Sequence, residues 1–253
     1  YFMELNNTTF TKQVEDYGKK YTVVNNCTFN QTCNTAETHL KYTINGKAAN
    51  VTFNDSKFNS KITTRESWSN GDPFNSIDIK GATNLTLNNV EFNQQGIAGQ
   101  YLINNPSSAS RLMTGIYASG TGKINLNNVS IKQTSDHEGI QGYGIYSIGT
   151  GDINIGTKDN TYNRNDNLIE ANYYGVYNTS AKLNFYDGLI KGKHISTETI
   201  ISEVEDGYSI NDGTIIEVNN VEYLLYTVSK GTETAIIYFT SFKKDYTIQG
   251  EIY

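Results

Sequence analysis

Apolar and polar positions alternate through the middle of the chain in short triplets: Val51-Thr52-Phe53, Leu85-Thr86-Leu87, Ile124-Asn125-Leu126, Ile153-Asn154-Ile155 and Leu183-Asn184-Phe185. This is the period of a β-strand with one buried face. Each triplet runs into a short turn element: Asn54-Asp55, Asn88-Asn89, Asn127-Asn128, Gly156 or Asp187-Gly188. Asn, Asp and Gly are the residues that tolerate left-handed backbone angles. A second short strand follows in most copies, as in Val90-Glu91-Phe92, Val129-Ser130-Ile131 and Leu189-Ile190. The three clearest copies also carry Gly-Ile-Tyr or Gly-Val-Tyr ahead of the triplet. These begin at Gly115, Gly144 and Gly175 and recur after 29 and 31 residues.

A period near 30 with drift means a structural repeat with connections of variable length. At least five copies run from Thr43 to about Lys191, each holding three short strands joined by tight bends. So small a unit cannot bury its own apolar face, so the copies must stack and share one core. Stacking sets equivalent residues about 4.8 Å apart. It predicts an inward ladder of Ile116, Ile145 and Val176 and an outward ladder of Asn125, Asn154 and Asn184. Asparagines should also align at the bend, with Asn88 or Asn89 beside Asn127 or Asn128. Tyr117, Tyr146 and Tyr177 follow the inward aliphatics and so point outward in register.

Three short strands per coil with an Asn-rich bend resemble the right-handed parallel β-helix of the pectate-lyase-like superfamily. The "GIYSIGTGDINIG" run is similar to repeats in large surface and adhesin-like proteins of Gram-positive bacteria. The resemblance covers roughly residues 20 to 215. It implies an all-β, right-handed parallel β-helix with three short strands per coil, the handedness agreeing with the general preference of parallel crossovers. The expected organisation is a non-repeat N-terminal cap over 1–40, the helix over 41–213, and a C-terminal β-hairpin cap or further module over 214–253. The hairpin is read from long apolar stretches either side of "SKGTET". The segment Ser196–Gly207 is the one place where a short helical turn is expected.

Composition narrows the class. The chain has 253 residues, a net charge of −6 and a pI near 5.1. That offers no basic stripe for nucleic acid, and no apolar run reaches the roughly 18 residues of a membrane span. About one residue in eight is Asn, and Tyr is abundant. Low charge with these residues fits a secreted or cell-surface protein, and the aromatic and β-branched content argues against disorder. In an oxidising compartment, Cys27 and Cys33 read as one local disulfide; the other reading is two unrelated thiols. No second Cys or His pair lies at zinc-ligand spacing, and no metal or cofactor is expected.

Catalytic elements of the resembled family are missing: no Gly-His-Gly, no Arg-Ile-Lys, no Asp cluster opposite a catalytic Arg or Lys. Arg111 and Arg164 sit in no recognisable motif. Asp136-His137-Glu138 pairs carboxylates with an imidazole, a set suited to acid–base work or metal binding; its plainer reading is a solvated loop tip. The oxygen-rich "DNTYNRNDN" from Asp159 suggests calcium but lacks EF-hand spacing. Trp68, the sole Trp, marks recognition or simply covers a loop. Stacked Tyr117, Tyr146 and Tyr177 suit sugar rings, or else only stabilise neighbouring strands. The reading is a non-catalytic, adhesin-like protein that binds a glycan or a host surface protein, with self-association through the C-terminal hairpins as a further contact. A polysaccharide lyase or hydrolase with an unrecognised site, and a stalk or filament subunit, are the alternatives.

Overall fold

The structure is a computed structural model that describes residues 2–11, 14–17, 20–34, 42–45, 49–64, 74–106, 110–157, 167–186, 188–192, 201–204, 209–218, 221–230 and 233–242. The chain is all-β and dominated by parallel sheets, and its strands recur in a fixed rotation of three rows. The first turn holds β1 (Phe2–Asn6), β2 (Thr9–Phe10) and β3 (Val14–Tyr17); the second holds β4 (Tyr21–Asn25), β5 (Thr28–Asn34) and β6 (Tyr42–Asn45). The third holds β7 (Asn50–Asn54), β8 (Lys57–Thr63) and β9 (Phe74–Lys80). In the next two turns a single strand spans the first and second rows: β10 (Asn84–Ile97) before α1 (Gln100–Asn104) and β11 (Ser110–Ala118), then β12 (Ile124–Ser135) before β13 (Ile140–Ser147). The sixth turn holds β14 (Ile153–Ile155), β15 (Leu168–Glu170) and β16 (Tyr174–Asn178). β17 (Leu183–Phe185), β18 (Leu189–Lys191) and β19 (Ile201–Val204) complete the parallel set.

Every strand in these rows pairs in parallel with its equivalent one turn on. The first row runs β1-β4-β7-β10-β12-β14-β17-β19, and the second, in the same sheet, joins β2, β5, β8, β10, β12, β15 and β18. The third row is a separate sheet in the order β3-β6-β9-β11-β13-β16. Apolar side chains from all three rows meet in one core. Phe10, Phe29, Phe58 and Phe92 stack along it with centroids 5.0, 4.6 and 4.7 Å apart. Ile131, Ile169 and Ile190 continue that column in register.

The ladders expected from the sequence are present. Ile116, Ile145 and Val176 are register partners and buried. Asn154 Nδ2 donates to Asn125 Oδ1 and Asn184 Nδ2 to Asn154 Oδ1, both at 2.8 Å. The bend carries a longer ladder, in which Asn25, Asn54, Asn88 and Asn127 each donate at 2.8 Å to the asparagine one turn earlier, beginning at Asn6. The next residue has a left-handed φ in each of the first five turns, at Asn7 (51°), Asn26 (49°), Asp55 (51°), Asn89 (55°) and Asn128 (55°); in the sixth, Gly156 (80°) takes it directly after Ile155, the partner of Leu126. The glycine of Gly-Ile-Tyr has a different cause. A Cβ on Gly144 would come 2.5 Å from Gly175 O and meet Ile169 Cγ2; on Gly115 it would sit 2.6 Å from Gly144 O. A side chain there would run into the carbonyl of the next third-row strand and the inward isoleucine of the second row.

Three expectations are corrected. Residues 1–40 are not a non-repeat cap as far as they are described, because β1 pairs with β4 from Phe2↔Tyr21 to Asn6↔Asn25, and β2 pairs with β5. The short first step of 19 residues conceals this repeat. The disulfide is not formed: Cys27 is a free, buried thiol. Cys33 lies near the end of β5, which begins at Thr28, the residue after Cys27, and a strand rise of about 3.3 Å per residue sets the two Cα atoms far beyond the roughly 7 Å limit of a bridge. Cys27 instead donates to Asn25 O at 3.3 Å, as Thr8 does to Asn6 O and Ser56 to Asn54 O. Within Ser196–Gly207 the described residues form strand β19, not a helical turn, because Ile201–Val204 extend the first row. The helix among the described residues is α1, in the connection after β10. Beyond the rows, β20 (Ser209–Val218), β21 (Val221–Lys230) and β22 (Glu233–Phe242) form an antiparallel sheet whose β21–β22 turn falls in "SKGTET".

Candidate functional site

Two flanks of the stack present repeated side chains. The first is the outer face of the third row, where β11, β13 and β16 hold Tyr117, Tyr146 and Tyr177 in register. Their rings are half-buried and nearly parallel, with centroids 5.7 and 4.9 Å apart and interplanar angles of 15° and 9°. Tyr143, Tyr173 and Tyr174 extend the cluster; Tyr143 meets Tyr146 edge-on at 5.1 Å and Tyr173 meets Tyr174 edge-on at 4.8 Å. Stacking along the axis turns the ring faces of the ladder onto one another. A sugar that stacks on an aromatic needs an open face, and the middle ring of this ladder has a tyrosine on both sides. What the flank leaves to solvent is ring rims. Below Tyr117 in the same row lies Asp78, 2% exposed, with Oδ2 3.5 Å from Asn75 Nδ2 and 3.8 Å from Lys80 Nζ.

The second flank is the outer face of the second row. Alternation along β5, β8, β10 and β12 sends Phe29, Phe58, Phe92 and Ile131 inward and the next residue outward. Those next residues form one row of Asn30, Asn59, Asn93 and Lys132, and two positions on they form another of Thr32, Lys61, Gln95 and Thr134. Together they line a groove of about 550 Å³. Asn93 Nδ2 donates to Asn59 Oδ1 at 3.2 Å and Asn59 Nδ2 to Asn30 Oδ1 at 2.9 Å. Each asparagine keeps one further N–H for solvent or a ligand. No carboxylate is among the lining residues, which include the ammonium groups of Lys61 and Lys132; Glu170 stands beside Lys132 one turn on. Chemically it offers rows of hydrogen-bond donors at the spacing of the strands. The sequence reading missed it, although the equivalence of Asn30, Asn59 and Asn93 was available; steps of 29 and then 34 residues hid it.

The other sequence candidates do not assemble. Asp136 Oδ1 accepts from Ala98 N–H at 2.8 Å and His137 Nδ1 accepts from Gly139 N–H at 2.9 Å, so both side chains tie down the connection after β12. Among the described residues no three His, Cys, Asp or Glu side chains gather where a metal would bind. Arg111 is on β11, whereas Trp68, Arg164 and the oxygen-rich stretch up to residue 166 lie outside the described residues. No helix among the described residues is long and apolar enough to cross a membrane. No family model, curated protein or solved structure matches the chain.

Proposed function

We propose that the chain is a right-handed parallel β-helix of the pectate-lyase-like kind, acting outside the cell or on its surface as a non-catalytic, adhesin-like binding protein for a glycan or a host surface protein. The observation that carries this reading is the groove on the second row. It repeats an asparagine donor over three turns and continues it with Lys132 in the fourth, which suits a ligand that is itself linear and repetitive. Amide and ammonium donors recognise hydroxyl and carbonyl oxygens without activating them. The tyrosine flank serves as a second contact surface through its rims, and its structural role in holding neighbouring strands stands beside that. Parallel crossovers of this type are right-handed in about 98% of cases, which supports the handedness.

The test is retention of the chain on immobilised neutral and acidic polysaccharides, with release of new chain ends scored in parallel. Retention without new ends is expected, with a tenfold or greater loss in the double variant Asn59→Ala/Lys61→Ala. Replacement of Tyr117, Tyr146 and Tyr177 by Ser should weaken binding less than it weakens stability. New chain ends would overturn the non-catalytic reading in favour of a polysaccharide lyase or hydrolase. The antiparallel sheet supports a second reading, a stalk or filament subunit, since among the described residues β20 and β22 are each paired on one side only. Concentration-dependent light scattering without retention on any glycan would favour it.

A further inference from the structure

The third row gathers six tyrosines into one continuous set of rings. Tyr117, Tyr146 and Tyr177 are register partners on β11, β13 and β16. Tyr143 lies among the others, its centroid 5.1 Å from Tyr146, 5.6 Å from Tyr173, 5.3 Å from Tyr174 and 6.0 Å from Tyr177. Tyr174 closes the set against Tyr177 at 5.4 Å and Tyr173 at 4.8 Å. The core builds a similar column from Phe10, Phe29, Phe58 and Phe92, at 5.0, 4.6 and 4.7 Å, without hydroxyls. Stacking alone is therefore served by phenylalanine in this fold. A phenol on an outer face also meets water, so residue type by itself does not separate a structural role from a chemical one. The ring geometry carries the argument further.

A phenol can give up an electron and a proton together, which leaves a phenoxyl radical. Two such radicals couple when their half-filled orbitals overlap, and those orbitals stand perpendicular to the ring planes. Face-to-face rings offer that overlap. Tyr146 and Tyr177 are the tightest and most parallel pair of the ladder, at 4.9 Å and 9°, followed by Tyr117 and Tyr146 at 5.7 Å and 15°. In-register parallel strands also bring like edges of the rings together. The contacts of Tyr143 with Tyr146 and of Tyr173 with Tyr174 are edge-on, at 83° and 85°, and lack the overlap. Rings in such contact can still pass an electron to a neighbour. The ladder rings are half-buried, so their rims are within reach of a small reagent.

We propose that the tyrosine flank is a site of oxidative modification, where a small one-electron oxidant joins Tyr146 to Tyr177 within one chain. Two equivalents of oxidant are reduced, each taking one electron from one phenol, and the two phenolic protons go to solvent. A bond forms between ring carbons ortho to the two oxygens. The hydrogens on those carbons then move to the oxygens and restore both phenols, so the chain loses two hydrogens in all. The product ties β13 to β16 across neighbouring turns. Such a bond restricts the unfolded chain as a disulfide does. The site stands on a different row from the groove and does not depend on what that groove binds.

The test exposes the unaltered chain, at several concentrations, to light, persulfate and ruthenium tris-bipyridyl, which together generate a one-electron oxidant. The expected result is the blue fluorescence of a biphenol in monomeric protein, with a yield independent of chain concentration. Digestion and mass spectrometry should find the peptides of Tyr146 and Tyr177 joined, less two hydrogens, with Tyr117–Tyr146 as the minor product. The crosslinked chain should unfold at higher urea than the untreated one. Tyr146→Phe keeps the ring stack and should lose most of the biphenol, whereas Tyr117→Phe should retain it. Tyr101→Phe, on α1 and outside the cluster, should change nothing. Absence of biphenol, crosslinks only between chains, a dominant pair outside the ladder, or an unchanged yield in Tyr146→Phe would each overturn the proposal. If Tyr146→Phe fails to fold, the peptide map of the unaltered chain decides alone.

Discussion

The two corners that flank the second row solve the same problem differently. Both turn the chain inside a stack, and both use rows of amides. At the corner between the first and second rows the amides are half-buried, and each bend asparagine from Asn25 to Asn127 donates to its equivalent one turn back. Through the first five turns the spacing there is constant: Asn6, Asn25, Asn54, Asn88 and Asn127 each precede the column residue Phe10, Phe29, Phe58, Phe92 or Ile131 by the same interval. The sixth turn departs from it, with β14 ending at Ile155 and β15 beginning at Leu168. At the corner between the second and third rows the amides of Gln94 and Gln133 are buried, and the connections vary from turn to turn. The repeat steps of 19, 29, 34, 39 and 29 residues differ mainly because of this second corner, whereas the sixth turn, of 30 residues, takes its extra length at the first. Through those five turns the stack tolerates irregular length at one corner while the other holds the turns in register.

The strongest test replaces an amide where water cannot take its place. Gln94→Leu should cost about 3 kcal/mol or more, because it strands several buried partners. Gln133 Nε2 loses its acceptor at 2.6 Å, while Ser76 Oγ and Thr114 O lose a donor at 2.9 and 3.1 Å. Urea unfolding measures it. The matching change at the other corner, Asn88→Ala, also breaks two ladder bonds, to Asn54 and from Asn127. Those partners are half-buried and regain water, so the expected cost is nearer 1–2 kcal/mol. Equal costs would mean that burial is not what separates the corners.

Much of this difference is written in the residues, and the part that is not has physical reasons. The Asn-rich bend, the apolar alternation and the inward Ile116–Ile145–Val176 column were legible because side-chain period and left-handed tolerance are local properties. The first two turns were not, because Tyr21-Thr22-Val23-Val24 blurs the alternation and the 19-residue step breaks the period. Cys27 suggested a crosslink, yet it occupies the position that Thr8 and Ser56 fill, where a small donor bonds the carbonyl two residues back. The buried glutamine row was invisible because a polar residue at an inward position reads as the end of a strand. Of the candidate surfaces, the register of the tyrosines was legible but not the turning of their faces onto one another. The groove was missed entirely.

The left-handed residue of the tight corner gives a finer test. Asn89 is exposed at φ 55° and donates to Asp55 Oδ1 at 3.0 Å. Asn89→Ala should cost about 1–2 kcal/mol, because alanine keeps the Cβ but lacks the amide that lets asparagine tolerate that region. Asn89→Gly should be milder, because glycine removes the backbone penalty and sacrifices only the exposed amide bonds. Thermal unfolding of both variants separates conformation from hydrogen bonding. If Ala and Gly are alike, the amide ladder rather than the backbone angle fixes the bend.

The smallest effect is expected where the variable corner is already longest. After β10 the chain runs through α1 before returning to the third row at β11. A Gly-Ser pair inserted between Asn105 and Pro106 lengthens a connection whose ends are held by β10 and β11, each bonded to strands on both sides. Closure entropy grows only as the logarithm of loop length, about 0.6 kcal/mol for a full doubling. Two residues should therefore cost a few tenths of a kcal/mol at most, and the unfolding midpoint in urea should scarcely move. Asn105 does hold the end of α1, through its N–H to Tyr101 O at 2.9 Å and its Nδ2 to the same oxygen at 2.9 Å. The insertion lies after both bonds and leaves them intact. A loss as large as that of Asn88→Ala would show that this corner also sets the register, and the contrast between the two corners would fail.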